Sequence, residues 1–358
     1  MFGWKKAGKI LGWLGRMPPI KLTHLKNLTD DTGIIQHAKY AVPDRRSGYT
    51  VDDNSRALIV IVKYCRLFGV DEESLRLANI YLSFIYHMQQ EDGRVYNLMS
   101  YDRRVINGYS EDCVGRVLWA CGYTLDSPLS EDVKLLAKEV FDKALPHAFK
   151  MRSPRGIAYS ILGLYHYARA FPEDPNVIRC LKTLADRLLE HYSRNSSPGW
   201  VWFEPYLTYD NPRIPYALSK AYEAIGDARY LEAAVKTFKF LTYVETIDEV
   251  YAPIGNNGWY FKGRYRALYD QQPIEAGSMV EAAASLYKIS GGREYLETMW
   301  KAFNWFLGEN INRTPVYDQD TGGCHDGLTP EGVNLNQGAE AVVCYLMSRL
   351  ELESLKKK

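Results

Sequence analysis

The chain has 358 residues, 46% of them hydrophobic, and a formal net charge of +1. That is enough apolar material for a large core, and a balanced charge leaves no electrostatic case for a nucleic-acid partner. Six scattered cysteines (Cys65, Cys113, Cys121, Cys180, Cys324, Cys344), with no CxxC and no ligand-like cluster, read as buried thiols of a reducing compartment, so the expected location is cytoplasmic.

The first twenty residues stand apart as a basic, amphipathic segment, with residues 21–358 forming one domain. Trp4, Ile10, Leu11, Trp13 and Leu14 alternate with Lys5, Lys6, Lys9 and Arg16. The run is too short to span a membrane, but it could lie as an interfacial helix in weak contact with a membrane surface through residues 1–17. Docking on the barrel is the plainer alternative, because three glycines between Trp4 and Arg16 weaken the helix. Pro18-Pro19 ends it.

A helix-like stretch follows around Leu22–Leu28. Then comes a long loop, TDDTGIIQHAKYAVPDRRSGYTVDD, too long for a mere connector and suited to covering a mouth. From there one unit recurs. A loop rich in Gly, aromatics, carboxylates and amides runs directly into an apolar helix. These helices begin near Asp52, Glu111, Arg155, Asn211, Gln272 and Asn336, at intervals of 44 to 64 residues. Each interval holds two helices and two loops. The first recurring helix runs from Asn54 to Phe68, stopped by Gly69, and the second from about Glu72 to Met88. Alternating polarity in GRVYNLM predicts a short strand or hairpin before the next. LSEDVKLLAKEVFDKALPHAF, DPNVIRCLKTLADRLLEHYSR, RYLEAAVKTFKFLTYVE and REYLETMWKAFNWFLGEN are amphipathic and read as outer helices. The pattern is all-α: an (α/α)6 toroid of six helical hairpins, with the rich loops gathered around one mouth.

The chemistry lies in those loops. Carboxylates sit at the loop-to-helix junctions: Asp52, Asp53, Glu111, Asp112, Glu204, Asp210, Asp270, Glu275 and Asp326. Some must be helix caps, and Asp52 reads as a cap or an orienter. Pooled with Trp, Tyr, Asn, Gln and Arg, however, they form the palette of a carbohydrate site. There, rings stack on aromatics and hydroxyls pair with planar polar groups. Cleaving a glycosidic bond takes two carboxyl groups, one protonating the leaving oxygen and one activating water or attacking. Asp53, Glu111, Asp112 and Glu275 are the catalytic candidates. Tyr49, Tyr109, Trp202, Trp259, Tyr260 and Tyr269 are candidates to wall the sugar. Arg45, Arg46, Gln271, Gln272, Asn336 and Gln337 are candidates to hold it.

Histidine offers a rival chemistry. His37 and His325 lie near opposite ends of the chain, and closing a ring brings those ends together. Two histidines at one sugar carbon would make an epimerase or isomerase. Metal is not expected, because the acidic pairs lack calcium-loop spacing and no zinc motif is present. No phosphate-binding loop, dinucleotide fingerprint or nucleophile elbow appears, so no cofactor is expected.

LTDDTGIIQHAKYAVPDRRSGYTVDDNSRAL, WVWFEPYLTYDNPRIPYAL, GNNGWYFKG, YDQQPIEAGSMVEA and GGCHDGLTPEGVNLNQGAEA carry a resemblance. They resemble the helical module often fused behind GT-B type glycosyltransferases, a module similar to six-hairpin glycosidases. The likeness spans about Leu22 to Leu350, and this sequence carries no transferase half. The resemblance implies a carbohydrate-active protein, with mannosides as a substrate class; a separate glycosyltransferase is the partner expected of a glycan-binding module. It assigns no catalytic residue. The expected function is therefore a glycosidase taking an oligosaccharide or glycoside, with the epimerase and a non-enzymatic glycan-binding module as alternatives.

Overall fold

The apolar runs become helices, and their alternation along the chain sets how they pack. The computed structural model describes residues 17–356, so most of the basic N-terminal segment, up to Arg16, lies outside the described residues. Twelve α-helices are present among them. They are α1 (Thr23–Leu28), α2 (Val51–Phe68), α3 (Glu72–Met88), α4 (Glu111–Leu125), α5 (Glu131–Ala148), α6 (Pro154–Ala170), α7 (Pro175–Asn195), α8 (Arg213–Ile225), α9 (Ala228–Val244), α10 (Pro273–Ser290), α11 (Arg293–Phe306) and α12 (Ala339–Ser354). The even-numbered helices form an inner ring in chain order, and α12 closes back onto α2. α3, α5, α7, α9 and α11 each back the helix before them, and the six-residue α1 backs α12. This is the expected (α/α)6 barrel.

Burial separates the two rings. Every residue of α10 from Pro273 to Leu286 is buried, as befits a helix enclosed on all sides. On α7 only Val177, Leu181, Leu184, Ala185 and Leu188 are buried, a single stripe at helical spacing. The inner helices start from defined caps. Thr50, Ser110 and Ser153 accept hydrogen bonds from the N–H groups of Asp53, Cys113 and Gly156. With Thr50 as the cap, α2 begins at Val51, three residues before the expected start. The predicted strand is Tyr96–Met99, paired antiparallel with both Tyr49–Thr50 and Val105–Tyr109.

One helix pair is unusually close. Gly115 and Gly122 on α4 face Gly156 and Gly163 on α6. A Cβ added at Gly122 would stand 2.2 Å from the Gly163 carbonyl oxygen, and one at Gly163 would stand 2.3 Å from that of Leu118. The equal seven-residue spacing on both helices makes a glycine seam where backbone meets backbone. We expect Gly122→Ala or Gly163→Ala to cost about 1–3 kcal/mol by overpacking, read as a fall in thermal midpoint. An unchanged midpoint would show that the helices can separate freely.

The end of the barrel away from the mouth has its own charge cluster. Asp126, after α4, accepts from Arg169 Nε at 2.8 Å and His166 Nδ1 at 3.1 Å, with Arg66 at 3.0 Å. Burial drives the His166 imidazole down from 6.5 to about 3. Burial would raise Asp126, but His166, Arg66 and Arg169 outweigh it and hold the carboxyl at about 2. The unfolded chain protonates His166 below about pH 6.5 and the folded chain does not until about 3. Stability is therefore lost as pH falls through that window, by up to roughly 1.4 kcal/mol per unit. Asp126 adds a further loss below about pH 4. The thermal midpoint of the wild type should fall between pH 6.5 and 4.5, and that of His166→Gln should fall less.

Candidate active site

The starts of the inner helices share one rim, so their first turns and preceding loops form the mouth. A central cleft of about 640 Å³ is lined by Asp52, Ser110, Glu111, Asp112, Arg116, Ser153, Tyr209, Asn256, Trp259, Gln272, Ile274 and Glu340. A second cavity, about 310 Å³, adjoins it at Asp52, Gln272 and Glu340, and adds Gln36, His37, Thr50, Asp53, Arg56, Asn97 and Asp326. A third, about 610 Å³, adjoins the cleft at Ser153 and Tyr209 and contains Arg155, His191, Glu204, Tyr206 and Phe261.

Four carboxylates line the central cleft, contributed by three neighbouring inner helices: α12, α2 and α4. Asp112 accepts from Ser153 Oγ and from the Tyr209 hydroxyl, both at 2.7 Å, one on each oxygen. Two O–H donors, one on each oxygen, fix its direction. Glu111 Oε2 accepts from the backbone N–H groups of Arg152 and Ser153 at 2.7 and 2.6 Å. The glycine seam permits this, because it brings the head of α6 against the head of α4. Glu340 Oε2 pairs with Arg56 at 3.0 Å, and its side chain is 39% exposed. Glu111 and Glu340 each keep a second oxygen that accepts no hydrogen bond among the described residues. Asp52 Oδ2 lies 3.3 Å from Arg116, while its Oδ1 is buried without a partner.

Beneath the floor the charges continue inward. Arg116 donates to the Tyr159 hydroxyl at 3.0 Å, and Tyr159 donates to Asp210 at 2.5 Å. Arg213 bonds Asp210 at 3.4 Å and Glu281 at 2.7 Å. Burial would raise Asp210, but Arg213 and Arg116 hold it below the usual carboxylate range.

His37 is exposed and lines the second cavity. Asp326 Oδ1 accepts from Gly338 N–H at 2.7 Å. Burial pushes the Asp326 carboxyl up, against the pull of that N–H and of His37 and His325 nearby. The two histidines thus approach one carboxyl group, although His325 stands outside the cavity wall and its Nδ1 is buried without a partner.

Several expectations are corrected by burial. Asp53 is 3% exposed and spends its oxygens on Arg56 Nη2 (2.8 Å) and Thr50 Oγ1 (2.6 Å). Glu275 is sealed below the floor, where it accepts from Asn211. Burial, then the charge of Glu245, pushes the Glu275 carboxyl far up. Tyr49 is a core residue whose hydroxyl donates to Asp30, and Trp202 is fully buried. Gln271 accepts from the Trp305 indole N–H, and Gln337 donates to Asp318 and accepts from Thr321. None of these six lines the central cleft, and of them only Asp53 reaches a cavity wall, that of the second. Glu204 is tied to Arg155 at 2.7 Å in the third cavity. Arg46 is exposed and forks onto Asp44, and Arg45 stacks over Tyr101. Tyr109, Tyr260, Tyr269, Asp270 and Asn336 stand around the rim outside the three cavities.

Arg116, Tyr209, Asn256 and Glu340 were not among the expected residues. Arg116 was within reach, because it lies one helical turn after Asp112 and shares its face. Glu340 carried a weaker signal, as an acid in the first turn of an inner helix.

No family model matches the chain, and no curated protein matches it. Solved structures do. The chain is similar to a cellobiose 2-epimerase from Bacillus thermoamylovorans B4167 (TM-score 0.73, 11% identity, 99% of this chain and 100% of that one). It is similar to a GH76 α-mannanase from Bacteroides thetaiotaomicron (TM-score 0.69, 13% identity, 97% and 96%). It is also similar to an α-1,6-mannanase from Salegentibacter sp. HEL1_6, in an inactive variant with two consecutive aspartates changed to asparagine and α-1,6-mannotriose bound (TM-score 0.62, 14% identity, 97% and 99%). At such identities the shared property is the fold, an (α/α)6 barrel matched over nearly its whole length.

Proposed function

We propose that the protein is a glycoside hydrolase, acting on mannosides by carboxylate acid–base catalysis at the central cleft. The observation that carries this reading is the set of four carboxylates, Asp52, Glu111, Asp112 and Glu340, around one aromatic-walled cavity. Asp112, aimed by two hydroxyls, takes the proton of a water attacking the anomeric carbon, or attacks that carbon itself. Glu111 or Glu340, each with one oxygen unengaged, donates the proton to the leaving oxygen. Trp259 and Tyr209 wall the ring, and Asn256 and Gln272 pair with its hydroxyls.

The similar mannanase is inactive when two consecutive aspartates are amidated. Two consecutive acid pairs head inner helices in this chain, Asp52-Asp53 and Glu111-Asp112. Only in the second do both members lack a buried salt bridge and line the central cleft, so the reading places the chemistry there. The mannoside class follows from the two mannanase neighbours and from the resemblance in sequence. Six unpaired thiols, five of them buried, suit the cytoplasm. No helix among the described residues is long and apolar enough to cross a membrane.

Asp112→Asn should lower kcat by about 10²–10⁴-fold while the fold is retained by circular dichroism. The proton donor will identify itself. Whichever of Glu111→Gln and Glu340→Gln loses natural substrate yet keeps an aryl glycoside with a good leaving group has lost the acid. If all three variants turn over at the wild-type rate, the site is elsewhere.

A second reading, sugar epimerisation at the second cavity, is favoured by the approach of His37 and His325 to Asp326. It predicts uptake of solvent deuterium at one carbon of a free sugar, lost in His37→Ala and in His325→Ala. Proton NMR of the protein with α- and β-linked manno- and gluco-oligosaccharides separates the readings. New reducing-end signals mark a hydrolase, exchange without cleavage an epimerase, and line broadening alone a binding module.

A further inference from the structure

We infer that the third cavity binds a non-reacting sugar, so that the substrate is an oligosaccharide of at least three units lying across the mouth. This rests on the glycoside reading and names its substrate class. The three cavities follow one another, the second meeting the central cleft at Asp52, Gln272 and Glu340 and the third meeting it at Ser153 and Tyr209. The central and third compartments are each of the size that holds a small ligand, and the carboxylates proposed to react lie in the middle one. A lone monosaccharide would leave both flanks to water.

The third compartment has the chemistry of a holding site. Tyr206 and Phe261 meet edge-to-face at 5.9 Å, on two short strands that pair antiparallel. Phe261 is 47% exposed, an apolar ring held at the rim with no core to fill. Asn195, His191 and Arg152 supply polar groups around these rings. Its only acid, Glu204, is neutralised by the buried Arg155. The compartment can therefore stack and hydrogen-bond a sugar, but it offers no unpaired carboxylate to cleave one.

Tyr209 couples this compartment to the reaction centre. Its hydroxyl orients Asp112, and its ring walls both cavities, stacked 4.7 Å from the Arg155 guanidinium. A sugar seated beside Tyr209 fixes the ring that aims the base. Binding energy from a remote unit is thereby spent on orientation, and chain length should raise kcat as well as lower KM.

The test measures affinity by calorimetry and kcat/KM by product release for manno-oligosaccharides of one to six units, with the wild type and Phe261→Ala. Tyr206→Ala serves as the second variant should Phe261→Ala fold poorly. The expected result is a rise in affinity through at least three units. The ratio of long-chain to short-chain kcat/KM should drop by roughly three- to tenfold in the variant. Affinity that levels off at one unit, absence of binding across the series, or a length dependence untouched by both variants would overturn the inference. Cleavage of a simple glycoside without gain from length would sink this inference and spare the hydrolase. Length-dependent binding with no cleavage would do the reverse.

Discussion

A continuous line of buried charges down the barrel axis holds the inner ring in register. Asp52, Arg116, Tyr159, Asp210, Arg213, Glu281, Lys63 and Glu351 follow one another by hydrogen bonds or ion pairs. They come from α2, α4, α6, the loop before α8, α8 itself, α10 and α12, so every inner helix contributes. A ring of six helices encloses a space that apolar side chains would fill in many arrangements. Charges that must each find a partner admit far fewer. The worth of such a network lies in register more than in net stability, since a buried ion pair is often no better than a well-packed apolar one. Removing a single member, though, strands the rest at about 3–5 kcal/mol.

The upper end of that line is the floor of the cleft. Arg116 belongs to both, meeting Asp52 in the cleft and Tyr159 beneath it. Arg56 does the same between Asp53, buried, and Glu340, exposed to the cavity. The cations that position the cleft carboxylates are thus themselves fixed by the fold, an arrangement suited to preorganised electrostatics. The glycine seam acts on the same carboxylates from the side. Without the close approach of α4 and α6, the N–H groups of Arg152 and Ser153 could not reach Glu111, nor Ser153 Oγ reach Asp112. Scaffold packing and site geometry are one problem here, and a methyl group at Gly115 or Gly156 would disturb both.

The fold was legible because periodicity and capping are local. Apolar spacing, Gly69 after α2 and the serine caps mark helices with no knowledge of their neighbours, and six repeats leave few ways to close. The site was half legible. Asp52, Glu111, Asp112, Trp259 and Gln272 line the central cleft, because a junction carboxylate or loop aromatic on an inner hairpin starts at the rim. Asp53 and Glu275 show what sequence could not supply. Each is one helical step from a cleft position, and that step turns the side chain inward to an internal partner. Tyr49, Trp202, Gln271 and Gln337 went to the core for the same reason: residue type suits both a sugar and an interior, and only the third dimension chooses. The glycine seam was present as two pairs of glycines seven apart, but spacing on one helix says nothing about which helix it faces.

The contest between hydrolysis and epimerisation turns on where protons can be held. Epimerisation at one carbon needs two bases of similar strength, converging from opposite sides. The second cavity offers His37 on its wall, while His325 does not line it, so one imidazole must swing before both could reach a carbon. Hydrolysis needs two carboxyl groups in unlike settings. The central cleft has them already: each Asp112 oxygen accepts from a hydroxyl, and Glu111 and Glu340 each show an unengaged oxygen. Breaking a glycosidic bond, as proposed, thus asks less rearrangement of this mouth than epimerisation does.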